Sequence, residues 1–296
     1  METAVLIPCF NEEKTIGEVI KSFQAELPEA RIYVGDNNSD DDSAAIARQC
    51  GAKVLSCAQP GKGHTVRMLL SGIAADVYVL VDGDNTYRAE DIKILLPPVE
   101  SGQYDMCIGN RLENYQPGSF PALHLLGNRM IRFLTYKLHK VDIPDMLSGY
   151  RVMSRKLVDN LCLISGGFEI ETEINIKSVW QGFKIGSLDI VYQPRPAGSA
   201  SKLQTFNDGY RILATILMLL REYQPMTMGS IIFFVSNCLA LALLIIGLAR
   251  GNTFIFNFGL FSSLVGVIAL GVGLILNAIN ISHREAEERQ KKAARK

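Results

Sequence analysis

Cysteine chemistry is sparse in this chain. Its 296 residues include six cysteines, at 9, 50, 57, 107, 162 and 238, and no two form a C-x-x-C pair. That excludes the usual thiolate zinc site and the thioredoxin-like pair, and in a reducing cytoplasm the thiols read as packing residues. A charge of one sign is also lacking. Lys+Arg and Asp+Glu each number 30, so nothing points to a nucleic-acid partner. No G-x-x-x-x-G-K-[ST] loop occurs, which excludes a P-loop ATPase. No G-x-G-x-x-G follows the first apolar run either, which argues against a dinucleotide oxidoreductase. The amino terminus shows no basic-then-apolar leader.

Apolar runs of membrane length are missing up to about Pro225 and then come twice. "MGSIIFFVSNCLALALLIIGLA" (228–249) and "FGLFSSLVGVIALGVGLILNAINIS" (258–282) hold no charged residue. At about 1.5 Å of rise per residue, each suffices for a hydrocarbon core of roughly 30 Å. Two membrane spans are therefore expected within 226–282, followed by a basic tail at 283–296. The linker holds only Arg250, whereas the tail and the stretch with Arg211 and Arg221 hold most of the flanking positive charge. This puts the large domain and the tail on the cytoplasmic side of a bacterial-type inner or cell membrane. "FNDGYRILATILMLLREYQP", within 205–225, has an apolar centre and charged margins, which suits a helix lying in the membrane surface or a core helix.

The first 204 residues read as one α/β domain. "AVLIPCFNEE" opens with an apolar strand, Ala4 to Ile7, that Pro8 is expected to end. "RIYVGDNNSDDDSAAIARQC" gives a strand to Val34, an Asp/Asn-rich turn and a helix capped by Ser39 or an Asp. "AKVLSC" is a third strand and "DVYVLVDGD" a fourth, with "GKGHTVRMLLSGIAA" a helix between them. Alternating strands and helices predict a mostly parallel, Rossmann-like sheet with ligands outside the carboxyl ends of its strands.

Those ends carry the unusual residues. Val77 to Val81 run straight into Asp82-Gly83-Asp84. A surface turn explains this, and so does a site where two carboxylates hold Mg²⁺ or Mn²⁺ and leave positions for phosphate oxygens. Asp36 can accept hydrogen bonds from a nucleobase or ribose, or cap the next helix. Lys62, between glycines in "PGKGH", suits an anion.

Together these residues resemble the glycosyltransferase family 2 catalytic domain of the GT-A type, and more closely the polyprenyl-phosphate hexosyltransferases. That group contains dolichyl-phosphate mannosyl- and glucosyltransferases. The resemblance rests on "VLIPCFNEEKTI", "VGDNNSDDDS", "PGKGHTVRMLLSGIAADVYVLVDGDNTY", "IGNR", "DMLSGYR" and "FEIETE…QPRPAGSASKL…DGYRIL", and covers about residues 4–224. It implies that Pro8, Asn11, Glu12, Asp36, Lys62, Asp82 and Gly83 bind the nucleotide-sugar donor, with Asp82 and Asp84 on the metal. Arg111, Arg129, Ser148, Arg195, Ser201 and Lys202 would anchor the phosphate of a polyprenyl-phosphate acceptor. Catalysis would fall to Asp84, Asp145 and Arg111.

Asp145 matches an acidic position near the transferred sugar. A phosphate monoester is already ionised near neutrality, with a second pKa of about 6, so Asp145 is expected to orient sugar hydroxyls or the arginines rather than act as an obligate base. One departure concerns the metal shell. Dolichyl-phosphate mannosyltransferases often place a Gln two positions after the second Asp, where this chain has Thr86. The wording is nearer the glucosyltransferase-like branch, which makes UDP-glucose the first choice of donor. UDP-N-acetylhexosamine, UDP-galactose and GDP-mannose stay open. Similar enzymes include a tetramer, so a homo-oligomer is an expectation too. Two rival classes share the fold: a processive polysaccharide synthase and an inactive membrane scaffold. Trp180 stands in "SVWQGF" and not in the Q-x-x-R-W motif of a synthase.

Overall fold

The computed structural model describes residues 1–116, 119, 122–196 and 205–293. In chain order the elements are β1 (Thr3–Cys9), α1 (Ile16–Glu26), β2 (Arg31–Asp36), α2 (Ser43–Gln49), β3 (Lys53–Ser56), α3 (Lys62–Gly72) and β4 (Val77–Leu80). Short helices α4 (Ile92–Leu95) and α5 (Pro97–Glu100) lead to β5 (Met106–Tyr115), α6 (Ala122–His139), β6 (Arg151–Ser154), α7 (Arg155–Val158), α8 (Ile170–Trp180) and β7 (Ile185–Tyr192). Three longer helices follow: α9 (Thr205–Tyr223), α10 (Pro225–Arg250) and α11 (Thr253–Ala293). The chain divides into two compact units, 1–216 and 217–296.

The first unit is built on a seven-stranded sheet of order β3-β2-β1-β4-β6-β5-β7. It is mostly parallel, as expected, and β6 alone runs antiparallel to both of its neighbours, β4 and β5. After β1 the chain builds outward through β2 and β3, then returns to place β4 on the other side of β1. The crevice outside the carboxyl ends of β1 and β4 is thus a topological switch point, the usual ligand position in such sheets. Asp82 and Asp84 follow β4 directly, and Glu12 follows β1.

Pro8 does not end its strand. β1 continues through it in register with Gly35 and ends at Cys9. Proline removes one ladder donor, yet Cys9 O still accepts the Asn37 N–H at 2.8 Å. Helix α1 shows how one face is covered: Ile16, Val19, Ile20 and Phe23 recur at helical spacing and are all buried. Phe23 meets Tyr150 edge to face at 5.9 Å, tying the helix to the segment just before β6.

Helix α6 is inverted relative to a soluble helix. Ile131, Asn128, Thr135 and His139 are buried, while Leu126, Met130 and Phe133 are 63%, 48% and 57% exposed. Lys137 lies over the Phe133 ring and Lys140 over Tyr136, each at 5.7 Å.

In the second unit α10 and the apolar part of α11 are long and apolar enough to cross a membrane. They pack through small residues. A Cβ on Gly229 would lie 2.8 Å from Ala269 O and 3.2 Å from the Gly273 Cα. Ser262 Oγ donates to Ser236 O at 3.0 Å and Ser263 Oγ to Asn237 Oδ1 at 2.9 Å, so these hydroxyls are satisfied within the pair. Of the six cysteines, Cys162 and Cys238 are exposed, so packing within the chain does not account for them.

Candidate active site

A cavity of about 790 Å³ opens at the switch point. Its lining brings together Pro8, Glu12, Lys62, Asp82, Asp84, Arg111 and Arg195, seven of the residues singled out in the sequence. The glycines around Lys62 have a defined task. Gly61 sits at φ 127°, and a Cβ there would overlap the Gly166 carbonyl. Asn37 holds this loop: its Oδ1 accepts from Gly61 N at 2.7 Å and its Nδ2 donates to Gln59 O at 2.7 Å.

Each aspartate of the pair is matched by a cation from another segment. Lys62 Nζ lies 2.6 Å from Asp82 Oδ1 and 2.6 Å from Glu171 Oε1, on α8. Arg195 Nη2 lies 2.5 Å from Asp84 Oδ2. Thr86 Oγ1 donates to Asp84 Oδ1 at 2.6 Å, and the Thr86 N–H to the same atom at 3.2 Å. Thr86 therefore fixes the second aspartate. Burial pushes the Lys62 amine down, but the charges of Asp82 and Glu171 outweigh it and hold it raised. Burial likewise raises the Asp82 carboxyl, and Lys62 more than reverses that. Asp84 is left raised, by burial and then by the neighbouring Asp82 charge.

This donor set fits a divalent cation. Asp84 is buried and Asp82 half-buried, and each carboxylate is paired with a cation. A Cβ on Gly83 would overlap Glu12 Oε2, and one on Gly149 would overlap the Asp82 carboxylate, so these glycines leave room for Glu12 and for Asp82. Among the described residues no three His, Cys, Asp or Glu side chains gather closely enough to hold an ion by themselves. The remaining positions would belong to phosphate oxygens and water, as is usual for Mg²⁺.

Asp145 lies beneath Arg111 and is wholly buried. It accepts from Arg111 Nε at 2.6 Å and Nη2 at 2.9 Å, from the Arg111 N–H at 3.2 Å and from Asn128 Nδ2 at 2.8 Å. Burial would raise this carboxyl, but Arg111 dominates and holds it below the ordinary range. A carboxylate only accepts, so the amide group facing it is the NH₂ of Asn128. Asn128 lines the cavity, and its Oδ1 has no hydrogen-bond partner among the described residues.

The other sequence candidates fall elsewhere. Asp36 does not line the cavity; its Oδ1 accepts from Ser39 N at 3.3 Å and so shapes the β2–α2 loop. Asn11, at φ 51°, accepts the Asp40 N–H on Oδ1 at 2.8 Å and braces the same loop. Gly83 O accepts from Thr15 Oγ1 at 2.7 Å. Arg129 is exposed on α6 and does not line the cavity. Ser148 is buried without lining it. Ser201 and Lys202 lie outside the described residues. Sequence reasoning missed Glu171, Asn128 and Asn37. Glu171 stands in the quoted "FEIETE", but only the fold sets it against Lys62, 109 positions earlier.

The sheet, the switch-point cavity and the paired aspartates define a GT-A nucleotide-sugar transferase. The sequence model of glycosyl transferase family 2 matches residues 4–162. Glycosyltransferase AglJ of Haloferax volcanii is 34% identical over 240 residues, 81% of this chain and 78% of that protein. The low-salt glycan biosynthesis hexosyltransferase Agl6 of the same organism is 32% identical over 73% of this chain and 53% of its own length. Among solved structures, glucosyl-3-phosphoglycerate synthase from Mycobacterium tuberculosis, in complex with Mn²⁺, UDP-glucose and phosphoglyceric acid, superposes with a TM-score of 0.60. That match is 22% identical over 74% of this chain and 79% of the other, a likeness of fold. The chain belongs to glycosyltransferase family 2.

Proposed function

We propose that the enzyme transfers a hexose, with UDP-glucose the first choice of donor, to the phosphate of a membrane polyprenyl phosphate. The product would be a β-linked polyprenyl-phosphate hexose, a donor for glycan assembly. The observation that carries this reading is a cavity that joins charge to apolar surface. Its lining includes Lys62, Asp82, Asp84, Arg111 and Arg195, and with them Leu112, Leu125, Ile131, Leu147 and Ile212. A small soluble acceptor needs no such apolar wall, whereas a phosphate on a hydrocarbon chain uses both parts. The Mn²⁺ and UDP-glucose in the mycobacterial neighbour's complex support the donor and the cation.

In this mechanism the phosphate oxygen attacks the anomeric carbon from the face opposite the departing nucleoside diphosphate. Bound to Asp82 and Asp84, Mg²⁺ or Mn²⁺ would supply a Lewis acid for the charge that builds on that leaving group. Lys62 adds a fixed positive charge at the same place, the kind of preorganised stabilisation that costs no reorganisation during reaction. Arg111 presents a guanidinium to the acceptor phosphate, suited to two-point binding. Asp145 holds Arg111 in place. Its oxygens are engaged by Arg111, Asn128 and the Leu147 N–H, so it is a positioning group and takes no proton.

A lipid acceptor also explains the rest of the chain. Residues 226–282 would span the membrane twice, the helix within 205–225 would lie in its surface, and the catalytic domain would face the cytoplasm. The exposed apolar stripe of α6, rimmed by Arg129, Arg132 and Lys137, suits an anionic lipid surface. The deciding experiment supplies radiolabelled UDP-glucose to membranes containing the enzyme, with and without chelator. Label in organic-extractable lipid, lost on chelation, is expected. Label in polymer would indicate a synthase, and no transfer from any nucleotide sugar would indicate a scaffold; either outcome overturns the proposal.

A further inference from the structure

We propose that Arg195 is an exchangeable counter-ion of the metal site. It leaves Asp84 when the cation and donor arrive, and only then becomes free to hold the acceptor phosphate. This deepens the reading above and rests on it for the acceptor's identity. The consequence is a binding order: nucleotide sugar first, lipid phosphate second.

The argument starts from Asp84, which is 2% exposed and has both oxygens in use. Thr86 occupies Oδ1, and Arg195 occupies Oδ2. A divalent cation that binds Asp84 through Oδ2 sets two further positive charges against the guanidinium there, and that repulsion displaces Arg195. Asp82 differs. Its partner Lys62 is held a second time by Glu171 and is 12% exposed at the side chain, so Lys62 keeps a buried anion whatever happens at Asp82. Arg195 is 32% exposed at the side chain, and among the described residues Asp84 is the one carboxylate it pairs with. Released, it has no second ion-pair partner among the described residues, and it already lines the cavity that holds Arg111.

A guanidinium edge satisfies a carboxylate or a phosphate in the same fork geometry, but not both through the same N–H groups. The site therefore alternates between Arg195 on Asp84 when empty and Arg195 on phosphate when loaded. An enzyme without donor does not hold a lipid phosphate it cannot use. Arg195 is thus a positioning residue that reports the state of Asp84 to the acceptor.

The full chain in detergent tests this with two probes, Mn²⁺ alone and farnesyl phosphate. Arg195→Gln is expected to tighten Mn²⁺ binding without nucleotide by about tenfold, the scale of one charge-assisted bond. Calorimetry reads this in high salt, which screens the general field. A merely structural role would leave that affinity unchanged or weaken it, and either result overturns the proposal. In the reciprocal arm, Asp84→Asn frees Arg195 without metal, and farnesyl phosphate should bind severalfold more tightly than to wild type. Asp82→Asn removes the same charge but does not release Arg195. A gain in Asp82→Asn equal to that in Asp84→Asn, or no gain in the latter, overturns the binding order. Should farnesyl phosphate bind no form while Mn²⁺ binding tightens, the acceptor reading fails and the exchange at Asp84 stands.

Discussion

Arg111 and Asp145, 34 residues apart in the chain, face each other through two parallel hydrogen bonds of 2.6 and 2.9 Å. The carboxylate is fully buried and the arginine nearly so. Such a pair contributes little net stability while intact, because desolvation offsets the attraction, but removing one partner strands the other. Its value here is geometric: it fixes the planar group that meets the acceptor.

Asp145→Asn should therefore lower kcat/KM by about 10²–10³-fold, the scale of losing one preorganised donor. Stability should fall by about 3 kcal/mol, since Arg111 loses its counter-ion. The acid limb of the rate profile should not move, because it follows the acceptor phosphate, whose second pKa is about 6. A shifted or abolished acid limb would make Asp145 a base. The stability sign is also fixed. A depressed carboxyl stabilises the fold fully above the unfolded value of about 3.9, and that contribution is lost as pH falls below it toward the folded value. Thermal unfolding of the wild type, followed below pH 4.5 against the variant, checks this.

Lys62→Met leaves the buried Glu171 and the half-buried Asp82 without their shared cation. Destabilisation of about 3–5 kcal/mol is expected at pH 7.5. Without Lys62 the main charge that lowers the Asp82 carboxyl is gone and burial raises it, so the variant recovers stability as pH falls and Asp82 takes up a proton. Unfolding midpoints at pH 7.5 and pH 5 should converge on those of the wild type at the lower pH. A constant gap would mean that Lys62 matters for packing alone.

His139 offers an independent pH test away from the cavity. The Trp180 Nε1–H can only donate, and it meets His139 Nδ1 at 3.3 Å. His139 is therefore neutral with its proton on Nε2, which meets Ile216 O at 3.0 Å. Burial first, only partly opposed by that carbonyl, holds its pKa below the ordinary value. Stability is thus fully present above about pH 6.5 and erodes as pH falls toward the depressed value. Loss of a buried hydrogen bond costs about 1–3 kcal/mol, or roughly 2–12 °C for a domain of this size. His139→Gln should flatten the fall in unfolding temperature between pH 7.5 and 5. An unchanged slope would place the sensitivity elsewhere.

What could be read from the chain alone follows from which interactions are local. The β1, β2 and β4 runs are apolar because parallel strands are covered on both faces, so Val77 to Leu80 declares itself in any window. Asp82 and Asp84 follow as the place where that pattern breaks. β6 was hidden, because "RVMS" is four residues long and pairs antiparallel with two strands distant in sequence. Glu171 was hidden for a related reason: on the buried helix α8 it resembles Glu169 and Glu173 in composition. Glu173 instead accepts from Ser165 N at 2.8 Å and pairs with Lys177, a structural task no spacing reveals. Pro8 reads as a stop because it lacks a donor, yet the strand loses one hydrogen bond and continues to Cys9.

Gly149 gives the most direct test of the aspartate geometry. It stands in "DMLSGYR", and its N–H donates to Tyr87 Oη at 2.8 Å. A Cβ there would overlap the Asp82 carboxylate on three atoms. Tyr87 is itself packed against Tyr150 and Tyr192 at 5.5 and 5.2 Å, so the backbone cannot retreat to make room. The added methyl has to displace Asp82 from Lys62. Displacements of about 1 Å near a reacting centre cost on the order of 100-fold. Gly149→Ala should therefore retain its fold and lose turnover by that order, with weaker Mn²⁺ binding read by calorimetry. Gly102→Ala, at a glycine with nothing within 4 Å of its Cβ but at φ 72°, serves as the backbone control: it should cost about 1 kcal/mol of stability and leave Mn²⁺ affinity intact. Full activity and unchanged Mn²⁺ binding in Gly149→Ala would show that Asp82 need not stand where the structure places it.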